Sequence, residues 1–286
     1  MGMAEISGVK PYQNSGIKEG DLIVEINNNI ISSTSDLIQS VNRFKGDNLK
    51  IKYTRDGSIY TTSITPIKTN KSDYKLGLWV RDGTAGVGMV SFYEPSTKSF
   101  AALGHGILDI DTEKLVPISS GDVLNTSIIS INKGKKGEPG ELRGGLNSNK
   151  VIGTITKNTE FGIFGKLTDI NALGIDRSKE IEIALRDEIK QGDAKIICTL
   201  DDNIIEEFDV KIGTIYRNNN YDNKSMTIKV TDSRLLEKTG GIIQGMSGSP
   251  VIQNGKLVGV VTHVLVNDPS MGYAVFADLM VKKMYE

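Results

Sequence analysis

Cysteine, histidine and tryptophan are nearly missing from this sequence: one, two and one occur in 286 residues. A single cysteine excludes an intrachain disulfide. Cys198 stands in the apolar run AKIICTL, where a lone thiol packs as an inert small hydrophobe. Two histidines, His105 and His263, cannot build a zinc site without several carboxylates. No ligand spacing is present, so neither a metal nor another cofactor is expected. An excess of charge is missing as well. With 34 basic and 35 acidic residues the net charge is −1, which draws the chain to neither nucleic acid nor an anionic membrane. Long apolar runs are also lacking. The longest, LVGVVTHVLV, is shorter than the roughly 18 residues of a membrane helix and contains Thr and His. The opening MGMAEISG has no basic stretch ahead of an apolar core and does not read as a signal peptide. MGM reads as an expression scar, and a natural anchor or signal upstream of it is an expectation.

What is there is a globular composition, 38% hydrophobic and 24% charged, in a chain long enough for two domains. Residues 1–70 read as a small α/β module. GIKEGDLIVEINNNII (16–31) is a turn, an alternating strand and a second short strand, with Gly20 where a positive φ is easy. STSDLIQSVNRF (33–44) is an amphipathic helix capped by Thr34 or Ser35, with Leu37, Ile38, Val41 and Phe44 on one face. LKIKYTRDGSIYTTSITP (49–66) is a strand, an RDG turn and a return strand. The polar stretch KTNKSDYK (68–75) carries the boundary. Residues 71–286 are dominated by short β segments punctuated by Gly, Asn and Asp, which argues a barrel or sandwich closed by a helix over 274–286. Within it KGKKGEPGELRGG (133–145) reads as a solvated loop, and Trp79 as core or interface packing.

One stretch can carry chemistry. QGMSGSPVIQNGKLVGVVTHV (244–264) packs two serines, two glycines and a proline ahead of a hairpin whose Asn254-Gly255 turn fits type I′. A serine hydroxyl is a poor nucleophile at neutral pH. It needs a base beside it and donors for the oxyanion. GMSGSP supplies a sharp turn, and His105 in ALGHGILDIDT supplies a base that is itself flanked by glycines. GTAGVG (83–88) lacks the GK[ST] ending of a phosphate loop. An α/β-hydrolase elbow needs glycine where Ser249 stands, so that chemistry is set aside.

GMSGSP resembles the G-D-S-G-G-P loop of chymotrypsin-like proteases. That resemblance makes Ser247 the nucleophile, puts Ser249 in the second glycine slot, and makes the N–H groups of Gly245 and Ser247 the oxyanion donors. Met246 replaces the Asp that pairs with a newly made N-terminus in trypsin-type enzymes, which argues against that style of activation. SGIKEGDLIVEINN resembles the AGL-x-x-GD-x-I-x-x-ING segment of PDZ domains. Only about 15 residues precede Gly16, so the first strand and carboxylate-binding loop of that module are short or missing. LWVRDGTAGVGMVSFYEPSTKSFAALGHGILDIDT, KGKKGEPGELRGG and GMSGSPVIQNGKLVGVVTHVLVNDPSMGY together resemble the SpoIVB peptidase family. These are sporulation-stage serine endopeptidases with a PDZ domain ahead of a chymotrypsin-like double β-barrel. The resemblance implies His105 as base, Ser247 as nucleophile and Asp232 as the acid. It further implies a protein substrate, a membrane-associated sporulation regulator, cut in the space between forespore and mother cell membranes, together with self-cleavage.

From the residues alone the acid stays open between Asp232, Asp111, another acid and a dyad without one. Asp109 also lies close to His105 in sequence. His263 stands 16 residues after Ser247, where it lines the substrate pocket, packs as a strand residue or serves as an alternative base. The competing reading of the whole chain is an inactive PDZ-containing scaffold that binds partner proteins or peptide tails.

Overall fold

The structure is a computed structural model that describes residues 2, 3, 6, 8–174, 180–201, 204–217 and 223–286. The chain divides into two compact units. The first comprises residues 1–85 and 108–114, the second residues 86–107 and 115–286.

The first unit holds β1 (Gly2–Met3), β2 (Leu22–Ile26), β3 (Asn29–Ile30), α1 (Thr34–Arg43), β4 (Leu49–Arg55), β5 (Ser58–Ile64), β6 (Ile67–Lys68), β7 (Tyr74–Lys75) and β8 (Leu78–Trp79). Its main sheet runs β3-β2-β4-β5, and β1 pairs with β8 and β6 with β7. Alternation along β4 places Leu49, Ile51 and Tyr53 inside, where they meet Ile26, Leu37, Val41 and Ile64. Helix α1 falls where its amphipathic pattern predicts, but the cap is Ser33, whose side chain accepts from Asp36 N. Ile38 is 53% exposed, so the buried face is narrower than expected. Gly16 and Gly20 both take positive φ, +72° and +85°. Asp21 beside them is 6% exposed. Both its oxygens accept from Arg55, Nε to Oδ1 and Nη2 to Oδ2 at 2.6 Å each. The guanidinium lies 5.4 Å from the ring centres of Tyr53 and Tyr60. The first core extends past the expected boundary at residue 70, since Leu76 is 4% exposed within it. Trp79 does not pack as expected: it is 68% exposed.

The second unit holds two sheets. β9 (Val90–Glu94), β10 (Ser99–Ala102), β11 (Gly121–Asn132), β12 (Glu141–Thr159) and β13 (Gly162–Leu167) form a five-stranded sheet in the order β11-β12-β13-β10-β9. β14 (Glu182–Ile183), β15 (Gly192–Asp201), β16 (Ile204–Ile215), β17 (Met226–Val230), α2 (Ser233–Thr239), β18 (Pro250–Gln253), β19 (Lys256–Leu265), β20 (Asp268–Phe276) and α3 (Ala277–Tyr285) follow. Here the order is β14-β19-β18-β15-β16-β17-β20, and β19 also pairs with β20, so the sheet closes into a barrel. The expected architecture, a small α/β module ahead of a two-barrel domain, is present with one barrel closed and the other half open. The Asn254-Gly255 turn has positive φ at both residues, +52° and +76°, as a type I′ turn requires. The barrel core collects Ile196, Phe208, Val210, Ile228, Val260 and Met246. Cys198 lies among them, and burial pushes its thiol up to about 12, consistent with an inert core residue.

Ile51 is fully buried at the centre of the first core. Truncating it in Ile51→Ala is expected to destabilise the first unit by about 2–5 kcal/mol, read as a lowered midpoint in chemical denaturation.

Candidate active site

The nucleophile loop and the histidine loop meet through backbone. Met89 N–H donates to Ser247 O at 2.9 Å, and Leu103 N–H donates to Met89 O at 3.3 Å. A Cβ on Gly248 would lie 2.1 Å from Met89 O, and one on Gly104 would lie 2.9 Å from Thr262 Cγ2. Both glycines take positive φ. On the other side of the histidine, a Cβ on Gly106 would lie 2.6 Å from Thr159 O. The glycines flanking His105 therefore let its backbone pass between β19 and β12 at contact distance. Asn158 clamps the chain beyond, accepting from Ile107 N–H and donating to Ile107 O, both at 2.8 Å, and to Val116 O at 3.0 Å.

The loop around Ser247 has an alternating hydrogen-bond pattern. The N–H groups of Gln244, Met246, Gly248 and Ser249 donate to Gly140 O, Ile243 O, Val261 O and Ser249's own turn partner Met246 O, at 2.8–3.1 Å. Between them, the N–H groups of Gly245 and Ser247 have no acceptor among the described residues. Both residues are half-buried, where most loop amides find a partner. Two unbonded amides alternating with bonded neighbours form a ready-made anion site, and they are the two donors the sequence pattern assigns. The serines also separate. Ser247 is half-buried, whereas Ser249 is fully buried with its hydroxyl unpartnered. Ser249 fills a space meant for a small side chain and is closed to substrate. Met246 is fully buried in the barrel core, so a hydrophobic anchor stands where an acid was absent from the motif.

Ser247 Oγ donates to Thr262 O at 2.9 Å, and no hydrogen bond joins it to His105. The imidazole of His105 has two partners. Its Nδ1 lies 3.0 Å from Gly106 O, and its ring centre lies 5.3 Å from that of His263, tilted by 38°. With the proton on Nδ1 and Gly106 O accepting it, Nε2 carries the lone pair a general base needs. His263 is exposed on β19 beside the base, in a place that suits either a pocket wall or a neighbour of the imidazole.

Among the described residues no hydrogen bond joins Asp232 to His105. It caps α2, accepting from Arg234 N–H at 2.9 Å, and pairs with Arg234 Nη2 at 2.8 Å. Asp209 N–H donates to its second oxygen at 3.3 Å. Hydrogen bonding from Arg234 is the main cause that holds its carboxyl at about 2. The physical reason is local: an aspartate two residues ahead of an arginine at a helix start is captured by the cap. Asp109 accepts from Thr112 Oγ1 and N–H and from Asp111 N–H, and Asp111 pairs with Arg81, all within the first unit. The carbonyls of Gly106 and Thr262, and Met89, are parts of the site that residue types could not announce, because they act through backbone atoms.

The SpoIVB peptidase S55 family model matches residues 71–281, and a PDZ domain model matches residues 3–65. Among curated proteins, one provisionally named a zinc metalloprotease in Bartonella henselae is 35% identical over 79 residues, 28% of this chain and 22% of that protein. Another of that name in Lactococcus lactis is 31% identical over 111 residues, 37% of this chain and 26% of that protein. The chain thus spans about a quarter of the length of the curated relatives it matches. Among solved structures, the active form of the Rv3671c protease from M. tuberculosis is 13% identical. It covers 72% of this chain and 92% of its own, at TM-score 0.32. The HtrA-type protease AlgW with a decapeptide is 16% identical over 48% of this chain and 44% of its own, at TM-score 0.33.

Asp232→Asn keeps a capping side chain and loses the ion pair. Its kcat/KM is expected to stay within about threefold of wild type, against the roughly 10⁴-fold cost of removing an orienting acid. A carboxyl depressed by folding stabilises the fold above its unfolded value near 3.9 and loses that contribution as pH falls toward 2. The Tm difference between wild type and Asp232→Asn, measured across pH, should therefore be full at pH 6 and close between about pH 4 and 2.

Proposed function

We propose that this chain, which belongs to the SpoIVB peptidase S55 family of serine peptidases, cuts a protein substrate by acyl transfer from Ser247. The observation that carries this reading is the pair of unbonded amides, Gly245 and Ser247, on the loop that Met89 ties to the histidine loop. The hydroxyl of Ser247 leaves Thr262 O and donates to Nε2 of His105. His105 takes its proton as Oγ attacks the scissile carbonyl. The two amides receive the oxyanion, and the imidazolium, held through Nδ1 by Gly106 O, then protonates the leaving amine. Water repeats the sequence to release the acyl group.

A backbone carbonyl sets the tautomer as a carboxylate would, but it stabilises the imidazolium less, since it carries no full charge. The site works as a dyad with a carbonyl orienter, and Asp232 supports it through the helix start. The matching PDZ model supports peptide binding by the first unit. From the family resemblance we propose a membrane-associated sporulation regulator as substrate, action in the space between the forespore and mother cell membranes, and self-cleavage.

A fluorophosphonate probe should label wild type at Ser247 and fail to label Ser247→Ala. Ser247→Ala and His105→Ala should each lower turnover by roughly 10⁴–10⁶-fold. Mixing wild type with Ser247→Ala as a substrate tests self-cleavage, with fragments of the inactive copy read by mass spectrometry. Equal, low labelling of wild type and Ser247→Ala would turn the reading to a binding scaffold.

A further inference from the structure

The basic, glycine-rich segment 133–142 has no part in the reaction above. Its tip is solvated, with Lys135, Lys136 and Glu138 exposed. Its base is not. Gly134 and Gly140 are buried, and Leu142 is 2% exposed in the same core as Met246 and Ile243. Four backbone hydrogen bonds, each 2.8 Å, join this segment to the loops around the site. Gly134 N–H donates to Thr239 O, Gly137 N–H to Val266 O, Gln244 N–H to Gly140 O, and Leu142 N–H to Gln244 O. Gly140 has no room for a side chain: a Cβ there would lie 2.4 Å from Gly134 N and 2.5 Å from Asn132 O. Gly245 in turn lies under Leu142, 2.8 Å from its Cβ if a methyl were added.

The bond from Leu142 has a consequence for the site. The carbonyl of Gln244 and the N–H of Gly245 belong to one peptide unit. In a trans peptide they point in opposite directions. Holding the carbonyl on Leu142 therefore fixes where the Gly245 N–H points. If that unit turned over, the hydrogen bond would break and the oxyanion donor would be lost in the same step. The neighbouring unit is held likewise: Met246 O accepts from Ser249 N–H at 3.1 Å, which sets the Ser247 N–H.

We propose that Leu142, through its backbone N–H, is the positioning residue of the oxyanion hole, with Gly140 completing the clamp on Gln244. This rests on the protease reading above. The segment does the ordering that a buried acid and a new N-terminus perform where the motif carries Asp in place of Met246. The loop is thus set by a segment whose tip is open to solvent.

The test replaces the amide of residue 142 by an ester, using the α-hydroxy acid of leucine in the full chain. The side chain stays and the N–H is lost. The same replacement at Gly137, which breaks an equal bond to Val266, is the control. Fluorophosphonate labelling of Ser247 should slow at least about tenfold for the residue 142 ester, toward the 10²–10³-fold cost of a missing oxyanion donor. The residue 137 ester should stay within about twofold of wild type. Hydrogen exchange supplies a readout that needs no activity. In wild type the Gln244 and Met246 amides should exchange slowly and the Gly245 and Ser247 amides fast. The residue 142 ester keeps the Gln244 N–H bond to Gly140 O but frees the Gln244 carbonyl, and the loosened unit should lower the protection of Gln244. Equal labelling of the two esters, or unchanged Gln244 protection in the residue 142 ester, overturns the proposal. If wild type is not labelled at all, the protease reading falls, and the exchange experiment still decides the clamp.

Discussion

The site depends on one backbone contact. Ser247 O, Met89 and Leu103 N–H form a short relay that ties the serine loop of the closed barrel to the histidine loop that follows β10 of the open sheet. No side chain can be placed in this joint, because a methyl on Gly248 would overlap Met89 O at 2.1 Å. Such a contact has no slack. It holds two loops in register through atoms every residue possesses, and it demands glycine only because anything larger would wedge the sheets apart. Gly248 of GMSGSP is the outward sign of that contact.

The second principle of the site is selective satisfaction of amides. Four N–H groups of residues 244–249 are bonded and two are not. An amide withdrawn from water without a partner is costly, of order 1–3 kcal/mol, and Gly245 and Ser247 are half-buried. The cost is tolerated where the neighbours over-determine the backbone and where a ligand oxygen later takes the place of the missing acceptor. The buried Met246, the clamp from Gly140 and Leu142, and the turn bond from Ser249 provide that over-determination from three directions. The hydroxyl of Ser247 donates to Thr262 O, while the N–H groups of Gly245 and Ser247 have no acceptor among the described residues.

Local signals were legible where the chemistry is local. Periodicity located α1, and alternation located β4 with Leu49, Ile51 and Tyr53 inside. The Asn-Gly pair announced its type I′ hairpin, and a serine on a glycine turn announced the nucleophile loop. The cap of α1 was misplaced by one or two residues, because Ser33, Thr34 and Ser35 are chemically equivalent caps and only the backbone angle at Ser33 chooses between them. Segment 133–145 looked solvated because its lysines and glycines are polar or small. Yet Gly134 and Gly140 are buried, and Gly140 makes room for backbone pairing with Gln244.

The sequence by itself determined the class of chemistry. Glycine at Gly104, Gly106, Gly245 and Gly248, a serine and one glycine-flanked histidine are residue-type requirements that show through in any reading. Tertiary structure alone decided which groups serve them. Asp232 and Asp109 are chemically able to face an imidazole, and Arg234 and Thr112 take them instead. Nδ1 of His105 lies against the carbonyl of Gly106, and the carbonyl of Gln244 accepts from the N–H of Leu142. Backbone groups are identical at nearly every position, so their roles leave no mark on residue type and appear only when the chain is folded.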